Sequence, residues 1–208
     1  PSSCASVIIA DLDVISQAPM KMLQAGLGDM LAKYISICEW RISHLVTGEY
    51  YCEQIASLIR RSVKKCIQSA KGLAARDPEA IKNVLEGLIL TGMAMGFAGI
   101  SRPASGIEHY FSHVWDMRAL EFGTNCDLHG IQVGIGTVLA LKIYEKLVSI
   151  KPNREKALEH AQQFNLEEYH SFLRRFLGSV SDNLIQLEQK EGKYDKNKHR
   201  QRLELILE

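Results

Sequence analysis

The chain has 208 residues, 46% of them apolar, and a formal net charge of +1. That length supports one sizeable helical core, or at most two small ones. The 25 Lys and Arg nearly cancel the 24 Asp and Glu and are interleaved with them, with no basic stripe and no aromatic platform, which argues against a nucleic-acid partner.

The longest mostly apolar stretch, Gly87 to Ile100, falls short of a membrane span and is interrupted by glycines, so no membrane insertion is expected. Pro1 to Ala10 lacks the basic n-region of a signal peptide. The five cysteines, Cys4, Cys38, Cys52, Cys66 and Cys126, are odd in number, widely spaced and form no C-x-x-C pair. Packed thiols in a reducing cytoplasm are expected, rather than a disulfide framework or a cysteine zinc site.

Ser6-Val7-Ile8-Ile9-Ala10-Asp11 reads as a short buried strand. A strand needs a partner for its backbone groups, and no second convincing strand follows. Residues 1–19 are therefore expected to be the last strand of an upstream sheet and the linker from it, in a piece of a longer protein. Residues 20–208 are expected to form a helical domain. Met20 to Val46 carries Met22, Leu23, Leu27, Met30, Leu31, Tyr34 and Ile35 at helical spacing, with Gly26 and Gly28 expected to interrupt it so that a helix restarts near Asp29. Thr47-Gly48 ends it. Glu49 to Ala75 reads as a second helix with Ile55, Leu58, Ile59, Val63 and Ile67 on one face.

Asp77-Pro78 caps and starts a third helix, which runs to about Gly99. Its Gly87, Gly92, Gly96 and Gly99 cost roughly 1 kcal/mol each against Ala, and suit close approach of backbones in a buried helix. Ser101-Arg102-Pro103 breaks the chain. A fourth helix is expected over Ala104 to Arg118, a loop at Gly123-Thr124-Asn125, and a fifth helix over Leu128 to Ser149. A short sixth starts at Pro152, and two more fall within Leu166 to Glu191 and Lys193 to Leu207. The predicted class is an all-α bundle with one N-terminal strand.

Four residues invite chemistry. His109 and His113 stand four apart, on one face of a helix. His129 opens the next helix, and Asp29 sits within Ala25 to Lys33. Two imidazoles and one carboxylate are a common ligand set for a divalent metal, and three ligands leave positions open for water or substrate. The neighbouring Gly26, Gly28, Gly106 and Gly130 would let backbone approach a ligand. On spacing alone the alternatives stay open: H-x-x-x-H is also met as two ordinary histidines, and an Asp near a helix start as an N-cap. Met30, Tyr110, Phe111 and Trp115 read as core, with Phe111 or Trp115 in reach of a pocket.

Read together, these segments resemble the glycerol-1-phosphate dehydrogenases. Gly26-Leu27-Gly28-Asp29-Met30-Leu31-Ala32-Lys33 is similar to that family's G-x-G-D-x-x-A-K segment. Ser101-Arg102-Pro103-Ala104-Ser105-Gly106-Ile107-Glu108-His109, then Ser112-His113-Val114-Trp115, is the most specific match. His129-Gly130-Ile131-Gln132-Val133-Gly134 and the opening Val7 to Pro19 complete it. The wider superfamily holds glycerol dehydrogenase, iron-containing alcohol dehydrogenases and 3-dehydroquinate synthase. In it a dinucleotide-binding α/β domain packs on a dehydroquinate synthase-like helical domain, with metal and substrate in the cleft between.

The resemblance implies that Asp29, His109 and His129 hold a divalent metal, zinc first, with nickel and iron also suited. It implies that His113 lies in the substrate pocket and relays a proton, as an imidazole does near neutral pH. Lys33, one turn beyond Asp29, would meet a substrate or phosphate oxygen, and Arg102 is a second cation for the phosphate. Asp29 would also face the substrate. The parent enzyme would reduce dihydroxyacetone phosphate to sn-glycerol 1-phosphate with NADH or NADPH, in the cytoplasm, as a homodimer or larger homo-oligomer. The family's glycine-rich dinucleotide motif is absent from this sequence, so NAD(P) would be held by the upstream half. Competing expectations are glycerol dehydrogenase, a lyase of the 3-dehydroquinate synthase type, and a non-catalytic helical assembly module whose histidines are merely packed.

Overall fold

The computed structural model describes residues 5–207, which form α-helices joined by short turns. In chain order they are α1 (Leu12–Ser16), α2 (Met20–Thr47), α3 (Glu53–Gln68), α4 (Ala70–Ala74), α5 (Pro78–Ala98), α6 (Ile107–Phe122), α7 (His129–Val148), α8 (Arg154–Gln163), α9 (Leu166–Leu177), α10 (Ser181–Lys190) and α11 (Lys196–Leu207), with a single 3-10 turn at Gly178–Val180. The all-α class holds. No strand forms among the described residues; Val7, Ile8 and Ile9 are exposed, with no neighbouring edge to pair with. Pro1 to Cys4 lie outside the described residues.

Local signals set most boundaries. Asp77 accepts the Glu79 N–H and Pro78 opens α5, while Gly99 closes it with φ of +69°. Asn153 and Asn165 cap α8 and α9 through their side chains. The expected second helix starts later and ends earlier, at Glu53 and Gln68, and a separate turn, α4, follows Ser69. Ala104 to Gly106 stay outside α6. Leu166 to Glu191 divides in two because Gly178 sits at φ +67°, a conformation that stops a helix.

The 28-residue α2 is the axis of the molecule, and it is continuous where an interruption at Gly26 and Gly28 is expected. The reason is tertiary. A Cβ on Gly28 would lie 2.3 Å from the Gly130 carbonyl oxygen, and one on Gly130 would lie 1.9 Å from the Ala25 carbonyl oxygen. These glycines let α2 and α7 cross with backbones nearly touching, rather than making room for a ligand. On the opposite side of α2, Met30, Ile37 and Trp40 pack with Ile59, Val63 and Cys66 of α3 and with Ile81, Val84 and Ala94 of α5. Gly87 fits the expected close approach, since a Cβ there would meet Cys66 Sγ at 2.8 Å; Gly92 does not, with nothing within 4 Å. A smaller cluster, Leu173, Leu177 and Ile185, ties α9 and α10 to Val114 and Met117 of α6.

Two further expectations need correction. The whole of α5 is long and apolar enough to cross a membrane by length and composition, because Ala80 to Leu85 extend the apolar stretch that begins at Gly87. Here it contributes to the core with α3. Tyr110 is 60% exposed rather than core. Cys38, Cys52, Cys66 and Cys126 are free thiols, but of these Cys66 alone is packed in the core as expected, Cys52 being half-buried and Cys38 and Cys126 exposed; Cys4 lies outside the described residues.

Candidate metal centre

Three helices bring the chemistry together. Asp29 lies in the middle of α2, so it caps nothing. His109 is in the first turn of α6, and His129 is the first residue of α7. The α2–α7 crossing at Gly28 and Gly130 fixes Asp29 against His129. The α6–α7 crossing is as tight, since a Cβ on Gly136 would lie 2.5 Å from the Glu108 carbonyl oxygen.

One potential ligand atom from each of Asp29, His109 and His129 lies within 4.8 Å of the other two. His109 Nε2 is 3.5 Å from Asp29 Oδ1. Ligands bonded at 2.0–2.1 Å in a tetrahedron sit about 3.4 Å apart, so this pair already has the spacing of a zinc site. His109 is buried, Asp29 half-buried and His129 exposed, which leaves the trio open on one side. The ring centroids of His109 and His129 are 5.2 Å apart, and exposed His113 stands 6.2 Å from each. Second partners hold the rings: Glu108 Oε1 lies 2.8 Å from His109 Nδ1, and Ser112 Oγ lies 3.1 Å from His129 Nδ1.

The charges are coupled. Burial pushes the Asp29 carboxyl up, but the His109 hydrogen bond and the Lys33 ammonium outweigh it and hold it down at about 2. Burial lowers His109, yet its hydrogen bonds to Asp29 and Glu108 leave it raised above the ordinary imidazole value. His129 is lowered, first by burial and then by the charge of His109. An ionised carboxylate beside two imidazoles is the donor set a divalent cation takes, and the residues present fit one.

The other candidate residues divide. Lys33 is fully buried, with Nζ 3.0 Å from Asp29 Oδ1, so its ammonium is paired with the Asp29 carboxylate. Arg102 is not brought to the centre. Its Nε lies 3.1 Å from Glu49 Oε2, and it shares a surface cavity with Ser43, Thr47 and Tyr144. Ser43 and Thr47 lie 14–18 residues beyond Asp29 on α2, which at 1.5 Å per residue is roughly 20–27 Å. Phe111 and Trp115 are half-buried with ring centroids 6.0 Å apart, and Trp115 lines a second cavity with Arg118, Asn125, Asp127 and Gln132. Met30 is core. Sequence reasoning passed over Glu108 and Ser112 as functional residues. The available signal was an acidic residue in the first turn of a helix whose cap, Gly106, has no side chain.

Fold and centre together define a class: an all-α domain that brings one Asp and two His from three crossing helices into a cluster that could hold a metal ion. No family model matches the chain. Among curated proteins it is a relative of the glycerol-1-phosphate dehydrogenases (NAD(P)+). It is 35% identical to that of Bacillus licheniformis over 191 residues, 88% of this chain and 47% of the relative. It is 44% identical to that of Staphylothermus marinus over 137 residues, 66% of this chain and 38% of the relative. It is 43% identical to that of Pyrococcus horikoshii over 132 residues, 64% of this chain and 37% of the relative. The chain thus spans less than half the length of the curated relatives it matches.

Proposed function

We propose that this chain is the metal-binding helical part of an NAD(P)-linked oxidoreductase that reduces dihydroxyacetone phosphate to sn-glycerol 1-phosphate. The observation that carries the reading is the convergence of Asp29, His109 and His129 within 4.8 Å, from three helices, in a relative of the glycerol-1-phosphate dehydrogenases. Zinc is the first metal to test; nickel and iron suit the same nitrogen and oxygen donors. Bound there, the metal supplies Lewis acidity toward a carbonyl or hydroxyl oxygen.

The side chains take distinct parts. Asp29 and the two imidazoles hold the metal. Lys33 keeps Asp29 ionised and fixes its rotamer through the 3.0 Å ion pair. In this reading His113 gives the substrate oxygen a proton or takes one from it, which its exposed position 6.2 Å from both His109 and His129 supports. In this reading NAD(P)H is held by sequence outside the chain, and the functional protein is a cytoplasmic homodimer or larger homo-oligomer.

Calorimetric titration of zinc into the chelator-stripped chain, beside Asp29→Ala, tests the centre. One zinc per chain, lost in the variant, is the expected result; no zinc bound by either protein sinks the reading. Comparing dihydroxyacetone phosphate with unphosphorylated dihydroxyacetone as substrates for the intact gene product then separates a phosphate-dependent enzyme from a glycerol dehydrogenase.

A further inference from the structure

Helix α6 begins at a residue that has no side chain to cap it. Gly106 occupies the cap position, so the first N–H groups of the helix need acceptors from elsewhere. Glu39 of α2 accepts the Ile107 N–H at 2.9 Å, and Glu108 Oε1 accepts the Gly106 N–H at 2.8 Å. The same Glu108 oxygen lies 2.8 Å from His109 Nδ1. Glu108 is fully buried, and its other oxygen, Oε2, has no hydrogen-bond partner. A Cβ on Gly106 would come within 2.8 Å of that oxygen, so the glycine leaves room for the carboxylate.

Capping alone does not account for this arrangement. A Ser or Thr at the cap position is the usual way to satisfy a helix end without burying a carboxylate, and an unpaired buried acceptor costs roughly 1–3 kcal/mol. The contact to the imidazole does account for it. Glu108 Oε1 already serves as acceptor for the Gly106 N–H, and in the same role it takes a hydrogen bond from His109 Nδ1–H. That leaves Nε2, 3.5 Å from Asp29 Oδ1, as the nitrogen turned toward the ligand trio. Ser112 is a weaker counterpart at His129, because a hydroxyl both donates and accepts and fixes neither ring form.

We infer that Glu108 is a positioning residue of the centre: it locks the His109 ring orientation and tautomer, aims Nε2 at the metal, and makes His109 a stronger donor than His129. The inference rests on the proposed metal site. A carboxylate behind a ligating histidine is worth about 10–100-fold in metal affinity.

The test is zinc titration of the full chain as wild type, Glu108→Gln and His109→Ala, with long-range proton–nitrogen NMR spectra of the histidine rings. Glu108→Gln keeps the size and an acceptor oxygen but removes the charge and admits either tautomer. A fall of about 10–100-fold in zinc affinity is expected for a folded Glu108→Gln, together with an Nδ1–H His109 in zinc-loaded wild type. A folded Glu108→Gln that binds zinc within about twofold of wild type overturns the inference and leaves the metal site standing. Should Glu108→Gln not fold, the wild-type spectra decide: zinc on Nδ1 of His109 overturns the inference, and zinc on Nε2 with Nδ1–H retained supports it. Wild type that binds no zinc removes the metal site and the inference together.

Discussion

The two sides of α2 hold the molecule together by different physics. Toward α3 and α5 it contributes Met30, Ile37 and Trp40 to a mainly apolar core, in which the Thr91 hydroxyl of α5 lies against Met30. Each large side chain buried there contributes roughly 1.5–3 kcal/mol. Toward α6 and α7 it shows Asp29, Lys33 and Ser36, against buried Glu108, His109, Ser112, Gln132 and Thr137. That side is held by glycine-permitted backbone contact and by the contacts of Asp29 with Lys33 and His109 and of Glu108 Oε1 with His109. Buried ion pairs offset their own desolvation and add little net stability. One helix therefore carries a stabilising face and a face that bears the candidate metal centre, and the two should respond differently to the same kind of change.

The largest expected contrast is between Ile59→Ala and His109→Ala. The first should lose about 2–5 kcal/mol in urea unfolding and keep its zinc affinity. The second should lose zinc by more than about 100-fold. A tenfold weakening of zinc in folded Ile59→Ala would show that the faces are coupled and break the comparison. Next in size is a pair of glycines. Gly130→Ala drives a Cβ into the Ala25 carbonyl and should cost about 1–3 kcal/mol, weakening zinc as α2 and α7 part. Gly92→Ala meets nothing within 4 Å and should stabilise α5 by up to about 1 kcal/mol. Equal effects at the two sites would mean that helix propensity, not crossing distance, governs these glycines.

What was legible in the sequence follows the same division. Elements whose signals are local read well: Asp77-Pro78 and Gly99 bound α5, and α7 begins within a residue of its expected start. The apolar face of α3 was visible from the spacing of Ile55, Ile59 and Val63. Gly28 misled because a glycine's helix cost is local, while the α7 crossing that makes it worthwhile is not; Gly26 lies instead against Val84 and Leu88 of α5. The Val7 to Ile9 segment has strand composition but no partner edge among the described residues. The ligand trio came from the resemblance, since H-x-x-x-H spacing names His113 as readily as His129. Glu108 stayed hidden because nothing in a helix N-terminal Glu says that its carboxylate is buried.

A smaller effect should separate the metal-free and zinc-bound proteins by the sign of their pH dependence. His109 is raised above its ordinary 6.5 by hydrogen bonds to Asp29 and Glu108, against the opposing effect of burial. Without metal, the stability contributed by protonated His109 is fully present below about 6.5 and is lost as pH rises through the raised value. Zinc must displace that proton, so its affinity should fall, by up to about tenfold per pH unit, as pH drops below the raised value. Thermal unfolding with and without zinc, from about one pH unit below to about two above the ordinary imidazole value, reads both trends. Parallel slopes would mean that His109 does not meet the metal.

The smallest expected effect belongs to Arg102, and it bears on where the phosphate of the proposed substrate would bind. Its guanidinium pairs with Glu49 at the far end of α2, with both side chains about a third exposed or slightly less (34% and 27%). Pairs so placed contribute roughly 0–1 kcal/mol. Arg102→Ala should therefore shift unfolding by less than about 1 kcal/mol and leave zinc affinity unchanged. It should also leave KM for dihydroxyacetone phosphate unchanged in the intact gene product. A KM that rises tenfold would bring Arg102 back to the substrate, and would require Glu49 to release it when the phosphate arrives. An unchanged KM leaves the phosphate to other cations, because Lys33, the remaining sequence candidate, is already committed to Asp29.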